Sequence, residues 1–574
     1  MLALRSTVGP SRCLTRVLVS NTSTRCLSTP SQPGQYEDVD VVIVGGGPAG
    51  LALASALGSS SVVKDLSVAL VEAGDLTKMK EWAPGPGLYS NRVVSLTNAS
   101  QAFLKRIGAW SYVEEARTTG VEEMQVWDGV SDARITFSAS DIGLDNPVDG
   151  MSRLTENFNL QRGLLRHLST LSSRVQLLER TKVQSIQRTS TENSSWPLVH
   201  LDNGKILRSR LLVGADGFNS PVRTFAGIQS FGWSYDTQAI VATMEHEPRG
   251  AFEPPNTTAY QRFLPTGPIA FLPLSPTVSS LVWSTRPHIA KALLSCEPDV
   301  LASMINAAFR LPSLSLKYLY ERILEAHNAN THITLPQIQE EILFREKSHQ
   351  IDQHSAYTSV VAAPRGGIAP EGSEAVPPFV RSLQAGSVAS FPLRFMHADS
   401  YIGEGKGERT VLIGDAAHTI HPLAGQGLNL GLGDVECLAK SIENAASRGG
   451  DIGSYTALLP YAQQRYLENH VLMAANDKLH KIYSTELEPI VWARSVGLEV
   501  VNELDSLKAA LMISAGAKPR HESYSAVWET AAKVIPNVST VFEISRKVVP
   551  TIGGALLAGA SNLLLQAQKD VNKK

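Results

Sequence analysis

Short apolar runs that end at a glycine or an acidic residue recur along this chain. Residues 39–44, 68–71, 211–213 and 411–413 are rich in valine, isoleucine and leucine, which is typical of buried strands in a parallel sheet. Helical spacing of apolar positions follows at residues 51–57 and 157–165. Residues 232 to about 400 are strand-rich at both ends, with a helical, loop-rich part between them. The pattern predicts an α/β fold that carries a second, strand-rich region.

The first apolar run leads into Gly45-Gly46-Gly47-Pro48-Ala49-Gly50, which has the spacing G-x-G-x-x-G. In this spacing Gly45 allows a tight turn, Gly47 lets the backbone approach a pyrophosphate, and Gly50 lets the helix pack closely on the strand. The second run ends at Glu72, where a carboxylate accepts hydrogen bonds from a ribose 2′-OH. Alone, this unit fits NAD as well as FAD. Glu72 argues against NADP, because a carboxylate repels a 2′-phosphate.

The other two runs also end in a glycine and an acid. Residues 211–213 lead to Gly214-Ala215-Asp216-Gly217, and residues 411–413 lead to Gly414-Asp415-Ala416-Ala417-His418. The loop of residues 422–427 then runs into a helix start, where backbone N–H groups and the positive end of the helix dipole favour negative charge. We therefore expect the backbone at Gly425, Gly427, Leu428 and Asn429 to hold a flavin ring, which is negatively charged when reduced.

In their order and spacing the three motifs resemble the signatures of single-component FAD-dependent aromatic hydroxylases. The resemblance implies a Rossmann-like FAD-binding domain interleaved with a mixed β-sheet substrate domain, followed by C-terminal helices. It implies that Gly45, Gly47, Ala49, Gly50 and Glu72 bind the ADP half of FAD. It also places Asp216 near the pyrophosphate and Asp415 near the ribityl-pyrophosphate region.

Five further segments are similar to the ubiquinone-biosynthesis branch of that family: residues 90–96, 259–283, 364–372, 466–479 and 496–508. The branch implies hydroxylation of the ring of a polyprenylated phenol, at C5, by O₂ and a flavin C4a-hydroperoxide. Arg92 is the candidate catalytic and flavin-side residue, with a surface salt bridge as its alternative role. The sequence does not identify a general base.

The resemblance also implies partners. A ferredoxin and its reductase would supply electrons, with direct reduction by NAD(P)H as the alternative, and other ubiquinone-biosynthesis proteins would form a complex with the chain. A basic cluster that includes Lys478, Lys481 and Arg494 could dock an acidic electron carrier. Two other functions stay open: a different ring hydroxylase, of the salicylate or kynurenine type, and a non-catalytic flavoprotein scaffold.

The expected domain organisation is discontinuous. Residues 1–36 form a mitochondrial transit peptide. The FAD-binding domain comprises residues 38–80, 155–227 and 405–480. The substrate domain comprises residues 81–154 and 228–404, with an insertion at about 286–390, and residues 481–574 form a C-terminal helical region.

Composition and charge limit the alternatives. The formal net charge of −2 gives no overall basic field, which disfavours nucleic-acid binding. Four cysteines without a C-x-x-C pair exclude a dithiol reductase, and no metal-ligand spacing is present. The first acid is Glu37, whereas four arginines precede it, as in mitochondrial transit peptides. We expect a peripheral location on the matrix side of the inner membrane, where residues 548–565 either lie on the membrane or pack on protein.

Overall fold

The computed structural model describes residues 36–142, 150–188, 196–250, 253, 255–359, 372–422, 425–504, 508 and 511–512. The transit peptide expected at residues 1–36 lies, except for Tyr36, outside the described residues. The same is true of residues 364–371 in the expected insertion and of the apolar segment at residues 548–565. Across the described ranges, no helix is both long enough and apolar enough to cross a bilayer.

The strands are β1 Glu37–Val44, β2 Val68–Val71, β3 Val93–Thr97, β4 Thr118–Val121, β5 Glu123–Asp128, β6 Arg134–Ser138, β7 Ser152–Glu156, β8 Val175–Leu178, β9 Val183–Arg188, β10 Pro197–Leu201, β11 Ile206–Gly214, β12 Ser230–His246, β13 Thr258–Leu264, β14 Gly267–Pro273, β15 Val278–Thr285, β16 Val380–Leu383, β17 Ala389–Ala398, β18 Thr410–Leu412 and β19 His418–Thr419. The helices are α1 Pro48–Ser59, α2 Thr77–Lys80, α3 Asn98–Arg106, α4 Asn157–Thr170, α5 Pro221–Ala226, α6 Pro287–Leu294, α7 Pro298–Arg310, α8 Ser313–Asn328, α9 Leu335–Ser348, α10 Gly427–Ser447, α11 Tyr455–Tyr483 and α12 Glu488–Asn502.

The first sheet contains the apolar runs that the sequence pattern identifies as strands. Its order is β8-β2-β1-β11-β10-β9, and β18 pairs with the carboxyl-terminal part of β11. Strands β8, β2, β1, β11 and β18 are mutually parallel. Val41, Val42 and Ile43 at its centre are fully buried, which explains why these strands are apolar on both faces. Because parallel strands end at the same edge, the glycines and acids that follow them meet there.

The second sheet has the order β19-β17-β12-β15-β14-β13-β5-β6, with β16 paired to β12. Helices α6 to α9 follow β15 in the chain and contribute to one apolar core with this sheet. A small sheet of order β3-β7-β4 holds the segment after Arg92. The mixture of parallel and antiparallel pairs agrees with the mixed substrate sheet that the resemblance implies.

Strand β19 connects the two large sheets. It begins at His418, three residues after Asp415, and pairs with β17 of the second sheet through His397↔His418 and Met396↔Thr419. The chain therefore leaves the first sheet at the end of β18 and becomes an edge strand of the second sheet within a few residues. This connection places Asp415 at the junction of the sheets.

Helix α12 is attached to the second sheet by a buried ion pair. Arg494 donates to both carboxylate oxygens of Asp128, at 2.8 and 2.9 Å, and also to the carbonyls of Ile482 and Thr485. The expectation that Arg494 belongs to a surface basic cluster is wrong, since its side chain is 3% exposed. A charge on a helix is usually solvated, and this one is buried because Asp128 is available to pair with it.

Candidate cofactor site at the strand ends

The G-x-G-x-x-G loop is shaped by close backbone contacts. Gly45 has φ of +110°, and a Cβ there would lie 2.2 Å from the carbonyl oxygen of Ala215. A Cβ on Gly50 would lie 1.9 Å from the carbonyl oxygen of Gly45. Neither position can hold a side chain without moving the backbone, because interiors are close-packed. These two glycines therefore fix the turn and bring α1 against β1 and β11.

The middle glycine differs from its neighbours. A Cβ placed on Gly47 would meet nothing within 4 Å, and Pro48 begins α1 directly after it. Open space beside the backbone at a helix start is what the approach of a pyrophosphate requires. Glu72, at the end of β2, accepts from the N–H groups of Gly46 and Gly74, each at 2.5 Å. Both contacts hold its carboxylate beside the glycine loop.

Asp216 follows the end of β11, and only one of its two carboxylate oxygens accepts a hydrogen bond from the described residues. Its Oδ2 accepts from the N–H of Val222 at 3.0 Å, at the start of α5. Its Oδ1 is buried and has no hydrogen-bond partner among the described residues. Burial raises the pKa of this carboxyl, against the opposing hydrogen bonds from Ser220 and Val222. A polar ligand group is needed to satisfy Oδ1.

Asp415 lies in a recess. Solvent reaches its side chain, yet the protein surrounds the carboxyl closely enough for desolvation to raise its pKa, against the charge of nearby His418. The preceding residue, Gly414, has φ of +58°, and a Cβ there would lie 3.3 Å from the Cβ of Ala49. The turn that carries Asp415 therefore lies directly against α1, so the acid expected to face the cofactor is next to the glycine loop.

Helix α10 begins beside the same recess. No side chain of the described residues caps its start at Gly427, so the N–H groups of its first turn, including Leu428, stay available to a ligand. The side chain of Asn429 is already used: Nδ2 donates to the carbonyl of Ser95 at 2.7 Å, and Oδ1 accepts from Thr97 and Ser100. Asn429 can therefore offer its backbone, while its side chain holds β3 and α3 against α10.

Gly425 and Arg92 lie on either side of this β3 contact. A Cβ on Gly425 would lie 3.6 Å from the Cβ of Ser95. Arg92 directly precedes β3, and its side chain is exposed. Its backbone carbonyl accepts from Asn157 at 2.9 Å. The backbone of Arg92 is therefore fixed at the start of α4, and its guanidinium is accessible to solvent.

A buried carboxylate that the sequence analysis missed holds these parts together. Asp434 of α10 is fully buried. Its Oδ2 accepts from the N–H of Gly414 at 3.0 Å and lies 2.6 Å from Nε2 of His418. Its Oδ1 accepts from Arg465 at 2.9 Å and from Asn469 at 3.0 Å, both on α11. Asp434 thus binds the residues on either side of Asp415.

The charges around Asp434 decide its ionisation. Burial opposes the charged form, but His418 and Arg465, with the hydrogen bonds they donate, outweigh it and hold the pKa of Asp434 at about 2. The sequence signal was present but weak: one acid on an otherwise apolar helix face, and an arginine and an asparagine spaced by four residues on α11.

The residues at the strand ends fit FAD. They provide an open backbone cradle at Gly47, a carboxylate at Glu72, an unsatisfied oxygen at Asp216 and an uncapped helix start at Gly427. They come from four segments far apart in sequence, which the parallel strands bring together.

Comparison with known proteins agrees with this geometry. Residues 38–331 and 383–465 match the family described as FAD binding domain. The protein named ubiquinone biosynthesis monooxygenase COQ6, mitochondrial, from Saccharomyces cerevisiae is 37% identical over 511 residues, which cover 88% of this chain and 98% of the yeast protein. The Homo sapiens protein of the same name is 36% identical over 482 residues, covering 82% of this chain and 91% of the human protein.

Solved structures share the fold. PqsL, a probable FAD-dependent monooxygenase from Pseudomonas aeruginosa, has a TM-score of 0.53 at 20% identity, covering 80% of this chain and 99% of the other. The p-nitrophenol 4-monooxygenase PnpA from Pseudomonas putida has a TM-score of 0.55 at 16% identity, covering 84% of this chain and 99% of the other. Both bear out the interleaved α/β architecture of the aromatic hydroxylases.

Substituting alanine at two of the glycines should separate folding from cofactor binding. Gly47→Ala has room for its methyl group, so we expect an unchanged melting temperature of the FAD-free protein and a dissociation constant for FAD raised about tenfold, roughly 1.4 kcal/mol. Gly50→Ala overlaps a carbonyl and should lower the free energy of unfolding by about 3 kcal/mol. Calorimetry and flavin titration measure the two effects. Equal loss of stability in both variants would contradict the separate roles.

Asp434→Asn should destabilise the protein and lower its flavin content, because Arg465 loses its buried anion and keeps only Glu468, whose side chain is half exposed. The expected loss is about 3–5 kcal/mol in the free energy of unfolding. The folded pKa of Asp434, about 2, lies below its ordinary 3.8. The ionised Asp434 therefore stabilises the folded protein above about pH 4. The difference in the free energy of unfolding between wild type and variant narrows as the pH falls toward 2.

The matched control for that variant is Glu436→Gln on the same helix, since Glu436 pairs with the exposed side chains of Arg106 and Lys440. Such surface pairs contribute about 0–1 kcal/mol. Denaturant unfolding at several pH values gives the comparison. A loss in Asp434→Asn no larger than in the control would show that Asp434 does not hold the site.

Proposed function

Because the chain belongs to the family of FAD-dependent monooxygenases of mitochondrial ubiquinone biosynthesis, we propose that it hydroxylates the ring of a polyprenylated phenol at C5. The observation that carries the proposal is the meeting of Gly47, Glu72, Asp216 and Asp415 with the start of α10 at one edge of a parallel sheet. This is the donor set for an extended dinucleotide with a flavin at one end.

Each part of the site would hold one part of FAD. Gly45, Gly47, Ala49 and Gly50 hold the pyrophosphate at the start of α1, and Glu72 holds the ribose of the ADP half. Asp216 and Asp415 bind the polar chain between pyrophosphate and ring. The backbone at Gly425, Gly427, Leu428 and Asn429 faces the ring with the positive end of the α10 dipole. Bound FAD, once reduced, supplies the activation of O₂.

The protein must also position the phenol and exclude water. We place the phenol between the ring side of the FAD site and the second sheet, since β19 joins the two sheets beside Asp415. Arg92, exposed next to β3, is the side chain proposed on the ring side. In this assignment residues 38–80, 155–227 and 405–480 bind FAD, and residues 81–154 and 228–404 bind the substrate.

The proposed location is the matrix side of the inner mitochondrial membrane. Arginines without acids in residues 1–36, and the mitochondrial names of the relatives, support import. Contact with the membrane is supported by α12, where Trp492, Val496 and Val500 are exposed at four-residue spacing and hence lie on one face. A polyprenyl tail is stored in lipid, so an apolar face at the surface suits such a substrate.

A product assay tests the proposed reaction. Protein loaded with FAD and supplied with reductant, O₂ and a polyprenylated phenol should form the C5-hydroxylated ring with oxygen from O₂. Gly427→Leu should abolish product, because its side chain enters the space at the start of α10. Gly497→Leu on α12, a helix glycine whose added Cβ would meet nothing within 4 Å, is the control. Mass spectrometry with ¹⁸O₂ measures the product, and a flavin-bound protein without product would favour the scaffold.

The electron donor needs its own experiment. We propose a ferredoxin and its NADPH-dependent reductase, because the resemblance to the mitochondrial ubiquinone branch implies them. The sequence offers one dinucleotide fingerprint, at residues 45–50, which is assigned to FAD; single-component hydroxylases also manage without a second one, so this does not decide the donor. An acidic carrier would dock on exposed bases such as Lys478 and Lys481, without the buried Arg494. In anaerobic mixing, flavin absorbance should bleach quickly with NADPH, ferredoxin and reductase, and slowly with NADPH alone. Fast bleaching by NADPH alone would replace the carrier with direct reduction.

A further inference from the structure

A buried polar cluster lies between β12, α11 and residues 418–427, which we call the flavin loop. We call it the histidine cluster; its members are Tyr235, His421, Asn476, Asp477 and His480. His421 is fully buried, and both of its ring nitrogens lack a hydrogen-bond partner among the described residues. Nδ1 of His480 and Nδ2 of Asn476 are also buried without a hydrogen-bond partner among the described residues. Buried polar atoms of this kind are normally satisfied by a water or another polar ligand.

Three rings enclose this polar space. The ring of His421 lies 4.7 Å from that of His480 and 5.1 Å from that of Tyr235, and Tyr235 lies 4.9 Å from His480. Asn476 is four residues before His480 on α11 and so lies on the same helix face. His421 lies in the flavin loop, directly before Pro422. The inner end of the histidine cluster is therefore part of the flavin loop.

The outer end of the histidine cluster reaches solvent. Tyr235 donates its hydroxyl to Oδ1 of Asp477 at 3.0 Å, and Lys481 donates to Oδ2 at 2.7 Å. The Lys481 side chain is 57% exposed and lies over the ring of Trp233. Asp477, itself buried, thus connects a solvated ammonium group with a half-buried phenol.

Burial, with help from neighbouring positive groups, keeps the two histidines neutral. Burial and the neighbouring His480 lower the pKa of His421 to about 3, against the charge of Asp477. Burial also lowers the pKa of His480; Asp477 opposes this shift, and the charges of Arg286 and Lys481 add to it. Arg286, which precedes α6, is paired with Asp236 of β12. A neutral imidazole has one donor and one acceptor nitrogen and can pass a proton on.

We propose that the histidine cluster, completed by water, is a proton path between solvent at Lys481 and the flavin loop at His421. The path runs from Asp477 through the Tyr235 hydroxyl to the imidazoles of His480 and His421. The inference rests on the proposed function. Hydroxylation of the substrate ring by O₂, which gives a ring with one more hydroxyl group and one water, consumes two electrons and two protons. When a one-electron carrier brings the electrons, both protons must come from solvent.

Two variants test the path. Tyr235→Phe removes the hydroxyl and Asp477→Asn removes the charge. The control is Tyr483→Phe, which removes the hydroxyl of another tyrosine, on α11; the ring of Tyr483 stacks on Phe263, outside the histidine cluster. Chemically reduced, FAD-loaded protein is mixed with O₂ and the phenol in H₂O and in D₂O. We expect the first two variants to form product about tenfold more slowly or worse, with a larger solvent isotope effect and partial rescue by small weak acids. The control should match wild type.

A second readout does not depend on activity. Histidines labelled with ¹³C report their titration by NMR, with resonances assigned through His421→Gln and His480→Gln. Asp477→Asn should move both titrations to lower pH, because a nearby negative charge is lost. Wild-type rates and isotope effects in both path variants would overturn the proposal, as would unmoved titrations. A wild-type protein that makes no product at all would refute the proposed function. The titrations would then still test whether the charge of Asp477 acts on His421 and His480.

Discussion

The site depends on one buried carboxylate. Asp434 binds Gly414 and His418 on one side and Arg465 and Asn469 on the other. Burying a single charge is strongly unfavourable, so these groups must be in place together before Asp434 can be ionised inside the protein. The pairing therefore makes the turn around Asp415, the helix α10 and the helix α11 one mechanical unit.

That unit connects the two large sheets. The turn begins at the end of β18 in the first sheet, and His418 then opens β19, which pairs with β17 of the second. A turn held at both ends has little freedom to move, which is the condition for placing a ring and a substrate within reacting distance. The same geometry explains why Gly414 lies so close to Ala49: the turn must fit between α1 and α10.

Much of the FAD site was accessible from sequence because its signals are local. A run of β-branched residues followed by Gly45 to Gly50 specifies strand, turn and helix over a short stretch, and parallel strands bring such ends together. The Asp434–Arg465 pair was missed because its sequence signal is weak: a single acid on an apolar helix face does not identify a partner 31 residues away. Arg494 was misjudged for the same reason: burial depends on Asp128, which lies 366 residues away.

The flavin loop also shows how the environment sets the role of a residue. His418 and His421 are three positions apart, and both are buried. His418 lies against the carboxylate of Asp434, an interaction that helps to keep this acid ionised. His421 faces rings and another imidazole, and this surrounding lowers its pKa until it is neutral. His418 therefore anchors the turn through its contact with Asp434, whereas both ring nitrogens of His421 lack a partner among the described residues and stay available to a water or another polar group.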